Sequence, residues 1–177
     1  MTFDPPLKHE GTTCSEMTLR EPTVGDVIKA EKAFALEEGG QARRVRNSTL
    51  IAAASGVHID LVRKMPASKF KEAAAYLNAF DAPADPKAPR NTDEELVIPL
   101  EQKIEKMGRI VDQLELREPT TGEVEASQRK LTANTSEAMR AMQVHLIALV
   151  AELPRPIVEA MPVSIINQGS RYLTGFI

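Results

Sequence analysis

Side chains able to ligate a metal or attack a bond are few in this chain of 177 residues, and they are scattered. His9, His58 and His145 lie far apart in sequence, Cys14 is the single cysteine, and no His-x-x-x-His pair or Asp/Glu cluster has metal-ligand spacing. Ser48 or Ser55 can be drawn with His58 and Asp60 as nucleophile, base and orienting acid. Neither serine, however, sits in the strained Gly-x-Ser-x-Gly turn that presents a catalytic hydroxyl. Gly39-Gly40 lacks the further glycines and the lysine of a phosphate-binding loop and reads as a helix stop. Arg43-Arg44-Val45-Arg46 is the one basic cluster and reads as a solvated helix face. The sequence therefore predicts a non-enzymatic protein with no catalytic, cofactor or metal site.

Composition narrows the partners. With 22 Lys and Arg against 25 Asp and Glu, the net charge of −3 gives no strong positive field to hold nucleic acid or an anionic membrane. A chain 42% hydrophobic, 27% charged and 4% aromatic fits one ordinary globular domain or two small ones. A lone cysteine forms no internal disulfide, and Met1-Thr2-Phe3-Asp4-Pro5-Pro6 lacks the basic start and apolar run of a signal peptide. The most apolar stretch, 146–151, is far short of the roughly 20 residues that span a bilayer. A cytoplasmic protein without a transmembrane segment is expected.

The elements come twice. Residues 17–27 return as residues 114–124 with 7 of 11 positions identical, both copies carrying Leu-Arg-Glu-Pro-Thr-x-Gly. At a spacing of 96, residues 50–80 match residues 146–176 at 10 of 31 positions, among them Leu50-Ile51-Ala52, Met65-Pro66, Tyr76-Leu77 and Phe80. Ordinary composition gives identity at roughly one position in fifteen, so the chain reads as a tandem duplication. The modules are assigned to 1–80 and 96–177. Between them the three prolines and five acids of 81–95 read as an extended, semi-rigid connector. Modules of about 80 residues are near the lower size for an independent core, so docking of the copies on each other, or self-association, would add stability.

Each module reads as a short β-hairpin followed by three to four helices, an α+β fold that is predominantly helical. Leu96, Ile98 and Leu100 alternate, as do Leu114 and Leu116, which predicts two strands joined near Gly108; the first copy offers a poorer version around Leu7, Glu10-Gly11, Met17 and Leu19. Thr23 with Asp26, and Thr120 with Glu123, write capping boxes that start a helix just after Pro22 and Pro119. That first helix is expected to run to about Leu36 with Val24, Val27, Ile28 and Ala35 on one face, its copy from Val124 to about Leu131. A second helix is expected from Ala42 to Ser55, with its copy from Ser136 to Leu153. A short helix through Leu61, Val62 and Met65, or Ile157, Val158 and Met161, follows. After Pro66 or Pro162 comes a last helix with Phe70, Ala73, Ala74, Leu77 and Phe80, or Ile165, Ile166, Leu173 and Phe176, facing inward.

The Leu-Arg-Glu-Pro-Thr-x-Gly-Asp/Glu block before a helix, the Leu-Ile-Ala helix and the Met-Pro break before an aromatic-bearing helix together resemble the tail assembly chaperones of Mu-like contractile-tailed phages and prophages. The resemblance covers essentially each whole repeat, whereas members of that family are generally a single module. It implies a small cytoplasmic protein of the bacterial host, made during tail morphogenesis. Such a protein binds the long helical tape measure protein, recruits tail tube subunits and is absent from the finished virion. The alternative is a structural tail adaptor or completion protein retained in the particle.

Two groups of residues stand out as candidate surfaces. Arg20, Glu21, Pro22, Thr23 and Asp26, with Arg117, Glu118, Pro119, Thr120 and Glu123, read first as a structural motif securing the strand-to-helix turn. Met139, Met142, Leu146 and Leu149 form an apolar stripe, either core or a flexible groove for a helical client.

Overall fold

A computed structural model describes residues 1–37, 39–81, 94–131 and 133–176. The chain divides into two compact units, Met1–Ala82 and Pro83–Ile177. Most of the connector read at 81–95 lies outside the described residues, while Glu95 is already part of a strand.

In the first unit β1 (Thr2–His9) and β2 (Thr12–Glu16) form an antiparallel hairpin, and in the second β3 (Glu95–Lys106) and β4 (Arg109–Arg117) form another. Each turns through two residues in the left-handed region, Glu10-Gly11 at φ 45° and 79° and Met107-Gly108 at φ 55° and 71°. Two consecutive positive φ values match the twist of the flanking strands, and glycine at the second position adopts them without a side-chain clash. A register shift between Thr2 and Leu7 absorbs Pro5 and Pro6, which cannot donate to a ladder, and a second shift lies between Pro99, itself paired with Gln113, and Ile104. The first hairpin thus forms despite its poorer alternation. Met17 and Leu19 nevertheless fall beyond β2, which ends at Glu16.

Among the described residues four α-helices follow each hairpin: α1 (Val24–Ala35), α2 (Ala42–Ser55), α3 (Ile59–Arg63) and α4 (Ala67–Ala79) in the first unit, with a 3-10 turn at Gly39–Gln41 between α1 and α2, then α5 (Thr121–Gln128), α6 (Ser136–Val150), α7 (Arg155–Val158) and α8 (Val163–Thr174) in the second. The order is the same in both, as a duplicated module requires. Helix α2 ends where Gly56 adopts φ 71° and returns its N–H to Ala52 O at 2.9 Å. Helix α6 stops earlier than the apolar pattern suggests, because Glu152 turns left-handed at φ 54° and Leu153 donates to Ala148 O at 3.1 Å, with Pro154 behind it. Helix α5 ends at Gln128 rather than Leu131, its chain tightening through Leu131 N–H to Gln128 O at 2.9 Å.

Each unit has its own core. Val24, Val27, Leu50, Ile51, Leu61, Val62, Ala73 and Leu77 are buried in the first; Leu114, Leu116, Val144, Ile147, Ile157, Val158, Met161, Ile166 and Tyr172 in the second. Ala35 is exposed, since the buried face of α1 passes through Val24, Val27, Ile28 and Glu31 instead. Phe70 and Phe80 are only half-buried, because the inward face of α4 is centred on Ala73, Ala74 and Leu77. In the second unit Gly169 lets α8 lie against β4: a Cβ there would stand 2.9 Å from Leu116 Cδ1 and 3.3 Å from Leu114 Cδ2.

Candidate partner-binding surfaces

The shared Arg-Glu-Pro-Thr block occupies the junction between β-hairpin and first helix. In the first unit Asp26 N–H donates to Thr23 Oγ1 at 3.2 Å and Thr23 N–H to Asp26 Oδ2 at 2.9 Å, a reciprocal cap for the start of α1. Arg20 reaches the same carboxylate at 2.8 Å and also donates to the carbonyls of Glu21 and Ala53, at 2.9 and 3.1 Å. In the second unit Glu123 N–H donates to Thr120 Oγ1 at 3.3 Å and Thr120 N–H to Glu123 Oε2 at 2.8 Å. Arg117 grips Glu123 with both terminal nitrogens, at 3.0 and 2.7 Å, and donates to Glu118 O at 3.1 Å. This fork, with further hydrogen bonds from Thr120, holds the Glu123 carboxyl at about 2, well below its usual range. Pro22 and Pro119 are buried beneath the junction, while Glu118 is exposed. Arg117 therefore ties the end of β4 to the start of α5, and Arg20 ties the segment after β2 to the start of α1.

The α6 stripe is not a single environment. Met139 is 47% exposed, Met142 and Leu149 are half-buried, and Leu146 is in the core. The buried side of α6 runs through Val144, Ile147 and Val150, so the stripe lies along its margin and shares only Leu146 with the core. Exposed Leu131, Val97, Met107 and Ile110 are further apolar side chains of the same unit.

Folding also joins residues that sequence distance keeps apart. His9, at the hairpin turn, stacks on His58 with ring centroids 5.4 Å apart, and Asp60 lies 3.3 Å from His9 Nε2 and 3.5 Å from His58 Nδ1. No linear motif signals this meeting, because one imidazole comes from a strand end and the other caps α3. Two imidazoles and a carboxylate within 4.8 Å of one another are a ligand set a divalent cation accepts. The second copy has no counterpart, carrying Pro154 and Pro156 at the positions of His58 and Asp60.

The drawn Ser-His-Asp set is placed differently. Ser55 Oγ donates to Ile51 O at 2.7 Å and accepts from Val57 N–H at 3.2 Å, and Ser48 is buried in α2. Of the basic run, Arg46 turns inward: Nε meets Glu31 Oε1 at 2.6 Å, one terminal nitrogen donates to Asn78 Oδ1 at 2.7 Å, and the other lies 3.5 Å from Asp81 Oδ2. Arg44 lies over the Phe70 ring at 5.9 Å. The solvated-face reading of that run thus holds for the exposed Arg43 and Arg44 and fails at Arg46, which bridges α1, α4 and the turn after α4.

Comparison with known proteins bears on the repeated unit as a whole. The family model described as phage tail assembly chaperone proteins, E, or 41 or 14, matches residues 1–82 and again residues 97–177. The chain belongs to the phage tail assembly chaperone family. It carries the chaperone module twice, each with the hairpin and helices described above. No curated protein and no solved structure matches it. Among the described residues, no helix of this chaperone-family chain is long and apolar enough to cross a membrane.

Proposed function

We propose that this chain serves phage tail morphogenesis as a non-enzymatic binding protein that holds the tape measure protein until the tail tube forms around it, then leaves. The carrying observation is the match of a tail assembly chaperone model to both halves of the chain. A long helical client exposes apolar faces before assembly, and a protein covering them needs adaptable apolar surface rather than a catalytic constellation. The half-open margin of α6, with Met139 exposed and Met142 half-buried, offers such surface. Host cytoplasm is the compartment of this activity, tail tube subunits are the further partner, and no cofactor takes part.

Co-expression with the tape measure protein, followed by purification of the complex and of finished particles, tests the proposal. The expected result is co-purification with the tape measure protein and absence from particles. Stoichiometric retention in particles would instead make the chain a structural adaptor.

A further inference from the structure

Three side chains of the first unit converge at a place where the fold itself does not need them. His9 closes β1 beside the hairpin turn, His58 is the N-cap of α3, and Asp60 lies in the first turn of that helix. At the corresponding positions the second unit carries Lys106, Pro154 and Pro156, and the same hairpin and helix form around them. The module is therefore built without this constellation, which leaves its side chains in the first unit available for another task.

Both imidazoles aim at one carboxylate oxygen. His9 Nε2 lies 3.3 Å and His58 Nδ1 3.5 Å from Asp60 Oδ2, while the other oxygen, Oδ1, accepts from Arg63 at 3.0 Å. A tetrahedral zinc ion sets its nitrogen and oxygen ligands about 3.3–3.4 Å apart, so two of the three ligand separations already stand near their working length. The third, between the imidazoles, is within 4.8 Å, and the His58 side chain, 62% exposed, has room to close it. Asp60 N–H donates to His58 Nδ1 at 3.4 Å, a long bond that an ion replaces at little cost. The surroundings are fixed in advance. Arg63 holds the far oxygen of the carboxylate, as an outer partner orients a metal ligand, and Lys64 Nζ donates to Lys8 O at 2.7 Å, holding the strand end that bears His9 against the end of α3. Glu10 adds a second negative charge, its Oε2 3.9 Å from His9 Nε2.

We propose that His9, His58 and Asp60 form a site for one zinc-class divalent cation, with water completing the coordination, that clamps the hairpin turn of the first module to α3. Two imidazoles and one carboxylate suit a borderline-soft ion; Mg²⁺ and Ca²⁺, which take oxygen ligands, fit poorly. Spacing along the chain gives no sign of the site, because its ligands come from a strand end and a helix start that meet only on folding. The clamp stabilises the first module and takes no part in holding a client, so it is independent of the tape measure reading.

The test strips metal from the full chain with a chelator, titrates zinc by calorimetry at neutral pH and follows the imidazole nitrogens by NMR. Expected are one zinc ion per chain, shifted resonances of His9 and His58 with those of His145 unmoved, a melting temperature raised by saturating zinc, and no displacement by Mg²⁺ or Ca²⁺. His9→Ala, His58→Ala and Asp60→Asn should each weaken binding about tenfold or more, and His145→Ala should leave it unchanged. Circular dichroism checks that each variant is folded, and the NMR of the unaltered chain decides the matter without any variant. Zinc binding no tighter than that of a chain lacking both His9 and His58 side chains, resonances that shift at His145 instead, or affinity indifferent to Asp60→Asn would overturn the proposal.

Discussion

At the scale of single residues, the two threonine caps were legible because a capping box is a local pattern whose partners are three residues apart. Thr23→Ala and Thr120→Ala should each destabilise their own unit by about 1 kcal/mol, read by urea denaturation, since each leaves a helix-start N–H without its acceptor. Glu123 adds a pH dependence. Its folded-state pKa lies below the unfolded carboxylate value, so its contribution is fully present above that value and is lost as pH falls from about 5 toward 2. With the Arg117 side chain 41% exposed, solvent screening holds the loss to about 1–2 kcal/mol. Denaturation midpoints across that window should show it, and Glu123→Gln should remove it. Arg46 was not legible, since Glu31, Asn78 and Asp81 reach it only after α1 and α4 pack against α2. Arg46→Ala should cost the first unit about 2–3 kcal/mol in the same assay, because it strands the buried Glu31 carboxylate.

Helices announced themselves by period and punctuation, and α2 starts and stops where Ala42 and Gly56 stand in the pattern. Pattern alone failed where an element's environment is set by what lies across from it. The α6 stripe has helical spacing throughout, yet the packed side of the helix is displaced toward Val144, Ile147 and Val150, leaving Met139 open. At the position of Arg46 in the first unit the second has Met142, so the duplicated helices differ where one carries an ionic bridge and the other an apolar margin. Met139→Asp should change stability by less than about 0.5 kcal/mol while weakening client binding about tenfold. Thermal melting and a pull-down with the tape measure protein check the two halves of that expectation. Ile147→Ala, in contrast, should cost about 2–5 kcal/mol by denaturation, because its fully buried side chain leaves a cavity.

The duplication, the largest feature of the molecule, was visible in identities alone, since a repeated module preserves the caps, breaks and core positions that each copy needs. Two modules on one chain give the second contact with a client an effective concentration of order mM, so affinity should arise largely from linkage. Hydrogen exchange of the full chain, alone and with the tape measure protein, tests this two-module account most directly. The account predicts slowed exchange in both units at one chain per client site, including the amides of α6 around Met139 and Met142. Protection confined to one unit, with the other exchanging as in the free chain, would contradict it.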